Sequence, residues 1–240
     1  MKQHSNYELL LKITAICSFA GALTTIFLIF SPLPAAPDFE SSNALYDNIM
    51  YLSRLWVLFF HPQVNFLASL GIALILFKKY PLQMLMGMLF LFVWAYSEMA
   101  QQALLIDAVN QIWRPQLATA NDQVTKELYI TLIHGANGIS DSQYFLVIYG
   151  FGIGSLLYGM AFIQETMPAK LLGFALIFIG ILSLASFLRL YLGMGVLKAP
   201  VQWSYEYIYP YLQPLVRIGM GVWILNKVRY FSASPQKPAD

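Results

Sequence analysis

One cysteine in 240 residues, Cys17, leaves no internal disulfide and no thiolate metal cluster. Histidine is nearly as scarce: His4, His61 and His134 are spread too widely for a metal motif. Charged residues make up 11% of the chain, against about 25% in soluble domains, while 58% is hydrophobic. The formal net charge is +2 and no basic cluster exceeds two adjacent lysines, which argues against a nucleic-acid partner. No Asn-x-Ser/Thr sequon and no lipidation signature is present. With a mean hydropathy of +0.60, the composition points to lipid as the main solvent and to membrane lipids as the first partners.

What is there is a series of long apolar runs. A membrane span needs about 20 mainly apolar residues. Six segments qualify: Ile13–Phe30, Met50–Phe77, Leu82–Ile106, Tyr144–Ile163, Leu171–Leu192 and Tyr207–Leu225. The sequence therefore predicts an all-α, polytopic bundle of six spans, with residues 1–240 forming one transmembrane domain. Lys78-Lys79-Tyr80-Pro81 and Gln164–Lys170 make short turns after the second and fourth spans. A competing reading takes Lys2, Lys12, the first apolar run and Pro34-Ala35-Ala36 as a cleaved signal peptide. Its apolar region of about 18 residues exceeds the usual 7–15, and Pro34 fits the cleavage pattern poorly.

Positive charge in short loops sets orientation. Both termini and both tight turns share one side, which collects Lys2, Lys12, Lys78, Lys79, Lys170, Lys227, Arg229 and Lys237. The other side holds Arg114, Lys126 and Lys198 against Asp38, Glu40, Asp47, Asp107, Asp122, Glu127, Asp141 and Glu206. Both termini are thus expected to be cytoplasmic. On the outer side, Asp107–Gln143 is expected to contain an amphipathic helix on the membrane surface. Asn121 or Asp122 would cap its start and Gly135 would follow its end, with Val124, Leu128, Leu132 and Ile133 as its apolar face.

The apolar runs carry polar residues at helical spacing. In the second span, Arg54, His61, Asn65 and Ser69 fall at steps of seven, four and four. Trp94, Glu98, Gln101 and Gln102 share a face of the third span, and Glu206, Gln213 and Arg217 that of the sixth. A charge at the centre of a bilayer costs about 2.5–3.5 kcal/mol, so such faces normally line a bundle interior or a water-filled cavity. Rise per residue puts Arg54, Glu98 and Arg189 near the outer level and Arg217 near mid-span. Arg54, His61, Asn65, Glu98, Gln101, Arg189, Gln213 and Arg217 are the candidate ligand-binding residues. The competing structural reading pairs Glu98 with Arg189 or Arg54 across helices. His61 and Asn65 would, in the plainer account, satisfy carbonyls freed by Pro62.

Intramembrane enzyme chemistry lacks its minimum equipment. A rhomboid-type serine protease needs Gly-x-Ser-Gly and a later histidine, whereas this chain has Gly152-Ile153-Gly154-Ser155 and no His after His134. A retinal protein needs a lysine inside a span, and none of the six holds one. No catalytic residue, metal or cofactor is expected. Gly150 and Gly154 form a small-xxx-small face for close helix contact, continued by Ser155 and Gly159. Trp203, Tyr205, Tyr207, Tyr209 and Tyr211 read as an interfacial aromatic belt or, alternatively, as a stacking platform for a ligand.

The layout resembles a bacterial family of six-span integral membrane proteins defined as a domain of unknown function. The resemblance runs over nearly the full chain: Arg54 opening the second span, the Lys78-Lys79 turn, and His134 in a long outer segment. Its most specific part is Tyr149-Gly150-Phe151-Gly152-Ile153-Gly154-Ser155-Leu156-Leu157-Tyr158-Gly159, followed by Pro168 and Leu172-Gly173. Where such proteins carry an arginine in the third span, this chain has Glu98 with two glutamines. The resemblance implies the fold and a bacterial inner-membrane location, and no activity. The expected function is binding, sensing or transport of a small anionic or amphiphilic molecule in an outward-facing, arginine-lined cavity. The alternatives are a structural subunit bound to a membrane partner or to further copies of itself, and an intramembrane enzyme using Glu98.

Overall fold

The computed structural model describes residues 2–233. The chain is 88% helix with no strand among the described residues. Among the described residues nine α-helices follow in order: α1 (Lys2–Phe30), α2 (Phe39–Asn43), α3 (Ile49–Leu76), α4 (Pro81–Leu104), α5 (Arg114–Thr119), α6 (Gln123–Phe162), α7 (Ala169–Tyr191), α8 (Lys198–Tyr207) and α9 (Tyr209–Ala233). Asn48 caps α3 by accepting from the Tyr51 amide at 2.9 Å, and Asp122 caps α6 by accepting from the Thr125 amide at 2.8 Å. Pro81 starts α4, where its missing N–H is harmless.

The six long helices pack as a ring in chain order. α1 lies between α3 and α9, and α4 between α3 and α6; α7 follows α6 and closes on α9 through a lighter contact. Neighbours run antiparallel. Tyr7, near the start of α1, donates to the Leu74 carbonyl near the end of α3, while Phe30 at the other end of α1 meets Tyr211 at the start of α9. One end of the ring carries the tight turns, clasped where the Lys79 ammonium sits 2.6 Å from Glu165 and the Tyr80 hydroxyl donates to the same oxygen at 3.1 Å. The opposite end carries the long connections, and we call these the turn end and the loop end.

Five helices are long and apolar enough to cross a membrane: Asn6–Phe30, Ile49–Leu76, Pro81–Thr119, Gln123–Phe162 and Ala169–Tyr191. The sixth expected span corresponds to α9, whose 25 residues include Gln213, Arg217, Asn226, Lys227 and Arg229. It starts at Tyr209, because the chain breaks at Ile208 and Tyr207 ends the separate helix α8.

The expected short surface helix is corrected. It begins at Asp122 but does not stop at Gly135; it runs unbroken through 40 residues to Phe162. Gly193 is the one glycine with a positive φ among the described residues, so Gly135 keeps helical geometry and cannot act as a left-handed cap. At 1.5 Å per residue α6 is about 60 Å long, twice the hydrocarbon thickness of a bilayer. It pairs with an equally long rod in which α4 continues through a π-helical segment, Leu105–Trp113, into α5. The two form a helical hairpin beyond the loop end of the ring. Ile133 and Ala136 are buried there against Val109, while Val124 and Leu128 are exposed, so the expected apolar face is packed only in part. Buried Arg114 ties the hairpin to α3 and to the connection before it: besides Asn110 of its own rod at 2.7 Å, it donates to the Tyr51 hydroxyl of α3 at 3.2 Å and to the Ser42 hydroxyl of α2 at 3.2 Å.

Close packing of α6 depends on glycine. A Cβ on Gly150 would stand 2.7 Å from the Phe90 carbonyl oxygen, a backbone atom of α4 that cannot swing aside. This presses the Gly150 face of α6 against α4 beside Trp94 and turns Ser155 and Tyr158 toward the centre of the ring.

Candidate functional site: a cavity within the helical ring

Three adjacent spaces, each sharing lining residues with the next, lie between the loop end and the middle of the ring. The outermost, about 560 Å³, lies beneath α8 and is lined by Arg189, Gln202, Glu206, Ser186, Tyr144 and Tyr205 among others. Tyr144 and Tyr205 also wall the next chamber, of about 250 Å³, which holds Glu98, His61, Trp94, Phe151, Ser183, Tyr209 and Gln213. Trp94, Phe151 and Gln213 in turn border an inner chamber of about 50 Å³, where Arg217, Asn65, Ser69, Ser155 and Tyr158 meet.

Arg217 is 5% exposed and forms the polar centre of the inner chamber. It donates to the Asn65 side-chain oxygen, and a second guanidinium nitrogen lies 3.5 Å from His61 Nε2. Its Nε has no partner. The opposite ring nitrogen, His61 Nδ1, is 2.8 Å from the Thr24 hydroxyl of α1. That hydroxyl also lies 3.0 Å from the Gly21 carbonyl, to which its one proton is donated. The network therefore assigns the His61 proton to Nδ1, directed at Thr24, and leaves Nε2 to accept from Arg217. Asn65 is fixed as well, since its amide nitrogen donates to the His61 carbonyl at 2.7 Å. The carbonyl that Pro62 frees is that of Leu58, one helical turn earlier, so Asn65 is aimed at Arg217 and not at the kink.

The other candidates separate by position. Glu98 opens on the middle chamber with the Trp94 indole beside its carboxylate. Arg189 lines the outer space, with a buried Nε that lacks a partner. Gln213 donates to the Tyr209 hydroxyl at 2.6 Å on the shared wall of the two inner chambers. Gln101 instead bonds Ser140 through its carbonyl and hydroxyl at 2.9 and 2.8 Å, which ties α4 to α6. Arg54 sits at the rim and donates to the Ser31 hydroxyl at 3.3 Å, away from the chambers. None of Arg54, Glu98, Arg189 and Arg217 forms an ion pair among the described residues, so the expected bridges from Glu98 to Arg189 or Arg54 are absent.

The aromatic cluster near α8 divides by side. Trp203, Tyr207 and Tyr211 are exposed, as an interfacial belt requires, whereas Tyr205 and Tyr209 turn into the cavity. The contribution of α1 was missed in the sequence. Thr14, Ser18 and Thr25 are buried on one face of that helix, at steps of four and seven, the same spacing that marks α3. Ser18 donates to the Arg217 carbonyl at 2.7 Å, locking α9 onto α1 at the level of the site.

No family model, no curated protein and no solved structure matches the chain. The family resemblance in the glycine-rich segment finds no match in these comparisons, so function rests on the site itself.

Proposed function

We propose that the protein is a six-span protein of the bacterial inner membrane that admits a small charged molecule from the outer side into the ring cavity. It acts as the binding component of a transport or sensing process. The observation that carries this reading is Arg217: a guanidinium in the wall of a cavity, held by the neutral acceptors Asn65 and His61, with a buried Nε that has no partner and no ion pair among the described residues. A guanidinium stays charged and matches carboxylate or phosphate oxygens, so an unpaired one facing a cavity is equipped to receive an anionic group.

Treating α9 as the sixth span is supported by its place in the ring, where it closes α7 onto α1 and turns Arg217 inward. The orientation is supported by charge. The turn end carries Lys12, Lys78, Lys79, Lys170, Lys227 and Arg229, while the loop end carries most of the carboxylates. Lys237 lies outside the described residues.

Native mass spectrometry of gently extracted wild-type protein beside Arg217→Gln tests the reading. A bound small molecule that the variant has lost supports it. A wild-type protein that carries no small molecule but retains a second protein would favour a structural subunit instead.

A further inference from the structure

The cavity holds acidic and basic side chains in separate places, with no ion pair formed by them among the described residues. We infer that its ligand is a zwitterion that lodges a cationic ammonium group in the middle chamber and an anionic group against Arg217; this rests on the ring cavity being the ligand site.

The middle chamber contributes the cation half. Its one carboxylate, Glu98, stands among the rings of Trp94, Tyr144, Phe151, Tyr205 and Tyr209, and no lysine or arginine lines it. His61, its one basic side chain, is committed to Thr24 and Arg217. A carboxylate within an aromatic cage favours an ammonium group, because ring faces are negative and a desolvated cation over them is held strongly. The inner chamber contributes the anion half, with Arg217 backed by Asn65 and Gln213 and no acidic residue in its wall.

The relation of the two chambers decides the class. They lie side by side with Trp94, Phe151 and Gln213 between them, so a short molecule seated against these three side chains would reach both. A simple anion at Arg217 would leave Glu98 without a counter-charge, and a simple cation at Glu98 would leave Arg217 without one. The route as a whole is balanced, with Arg189 and Arg217 against Glu206 and Glu98. A cavity built to draw in anions would show a surplus of one sign along its walls. The arginine lies in the smaller chamber, of about 50 Å³, and the carboxylate in the larger, of about 250 Å³.

The test is equilibrium binding to the purified full chain in lipid nanodiscs. The probes are ω-amino carboxylates with one to five methylenes, their N-trimethyl counterparts, the matching plain carboxylates, and tetramethylammonium. At least one zwitterion should bind, and Glu98→Gln and Arg217→Gln should each weaken it about tenfold or more. Glu98→Gln should also bind the plain carboxylate more tightly than wild type does, a gain that a misfolded variant cannot produce. If the plain carboxylate binds wild type as well as any zwitterion does and Glu98→Gln changes neither, the zwitterion is overturned while the anion-binding cavity stands. If no probe binds and the extracted wild-type protein carries no small molecule, both fall.

Discussion

Arg217 of α9 donates to the side-chain oxygen of Asn65 on α3, although α1 separates these two helices in the ring. The bond crosses the interior and not a helix–helix seam, which is why two distant parts of the chain meet beside the cavity. Gly21 of α1 makes room for it, since a Cβ there would collide with the same Asn65 oxygen.

Removing that acceptor should destabilise the fold. Asn65→Leu leaves a buried guanidinium nitrogen unpaired, at a cost of about 1–2 kcal/mol. Arg217→Met in the same background should restore part of the loss, because apolar replacement of both partners removes the unmet bond. Thermal unfolding of the two single variants and the double variant reads this coupling; strictly additive losses would contradict it.

Glycines of α6 should divide by environment. Gly150→Ala drives a methyl group into backbone of α4, and overpacking of this kind costs about 1–3 kcal/mol. Gly138→Ala meets nothing within 4 Å and should stabilise the helix by about 0.5–1 kcal/mol. Opposite shifts in melting temperature are expected, and equal shifts would contradict the packing described.

The turn-end clasp should show in acid. Burial raises the Glu165 carboxyl, but the bonds from Lys79 and Tyr80 outweigh it and hold the group below its ordinary value. A depressed folded pKa gives stability that is present above the unfolded value, about 4.3, and lost as pH falls through the folded one. The melting temperature of wild type should therefore drop more between pH 6 and pH 3 than that of Glu165→Gln, for which the clasp is already broken. Identical acid profiles would remove Glu165 from the account. Lys79, raised chiefly by the Glu165 bond, keeps its contribution below its unfolded value and loses it only in strong alkali.

Much of the ring was legible because helical spacing reports burial directly. His61, Asn65 and Ser69 on α3, and Trp94 and Glu98 on α4, face the interior as their periodicity requires. The ring order was not legible, since apolar helices of similar length carry little information about their neighbours. Gln101 shows the limit of reading a face: it shares the stripe of Glu98 but finds Ser140 one helix away. The long α6 was hidden by Gly135 and Gly138, which signal a helix end by composition yet sit in open space with helical geometry.

Thiol labelling in intact membranes distinguishes a cavity open at the loop end from a closed helical ring. Ser183→Cys in a Cys17→Ala background places one thiol in the middle chamber, and Lys126→Cys and Gln164→Cys mark the two ends. A small, membrane-impermeant cationic thiosulfonate applied outside intact cells should modify positions 126 and 183 and leave 164 untouched. Modification at 126 alone, or at 183 only together with 164 from the cytoplasmic side, would contradict a cavity open to the outside.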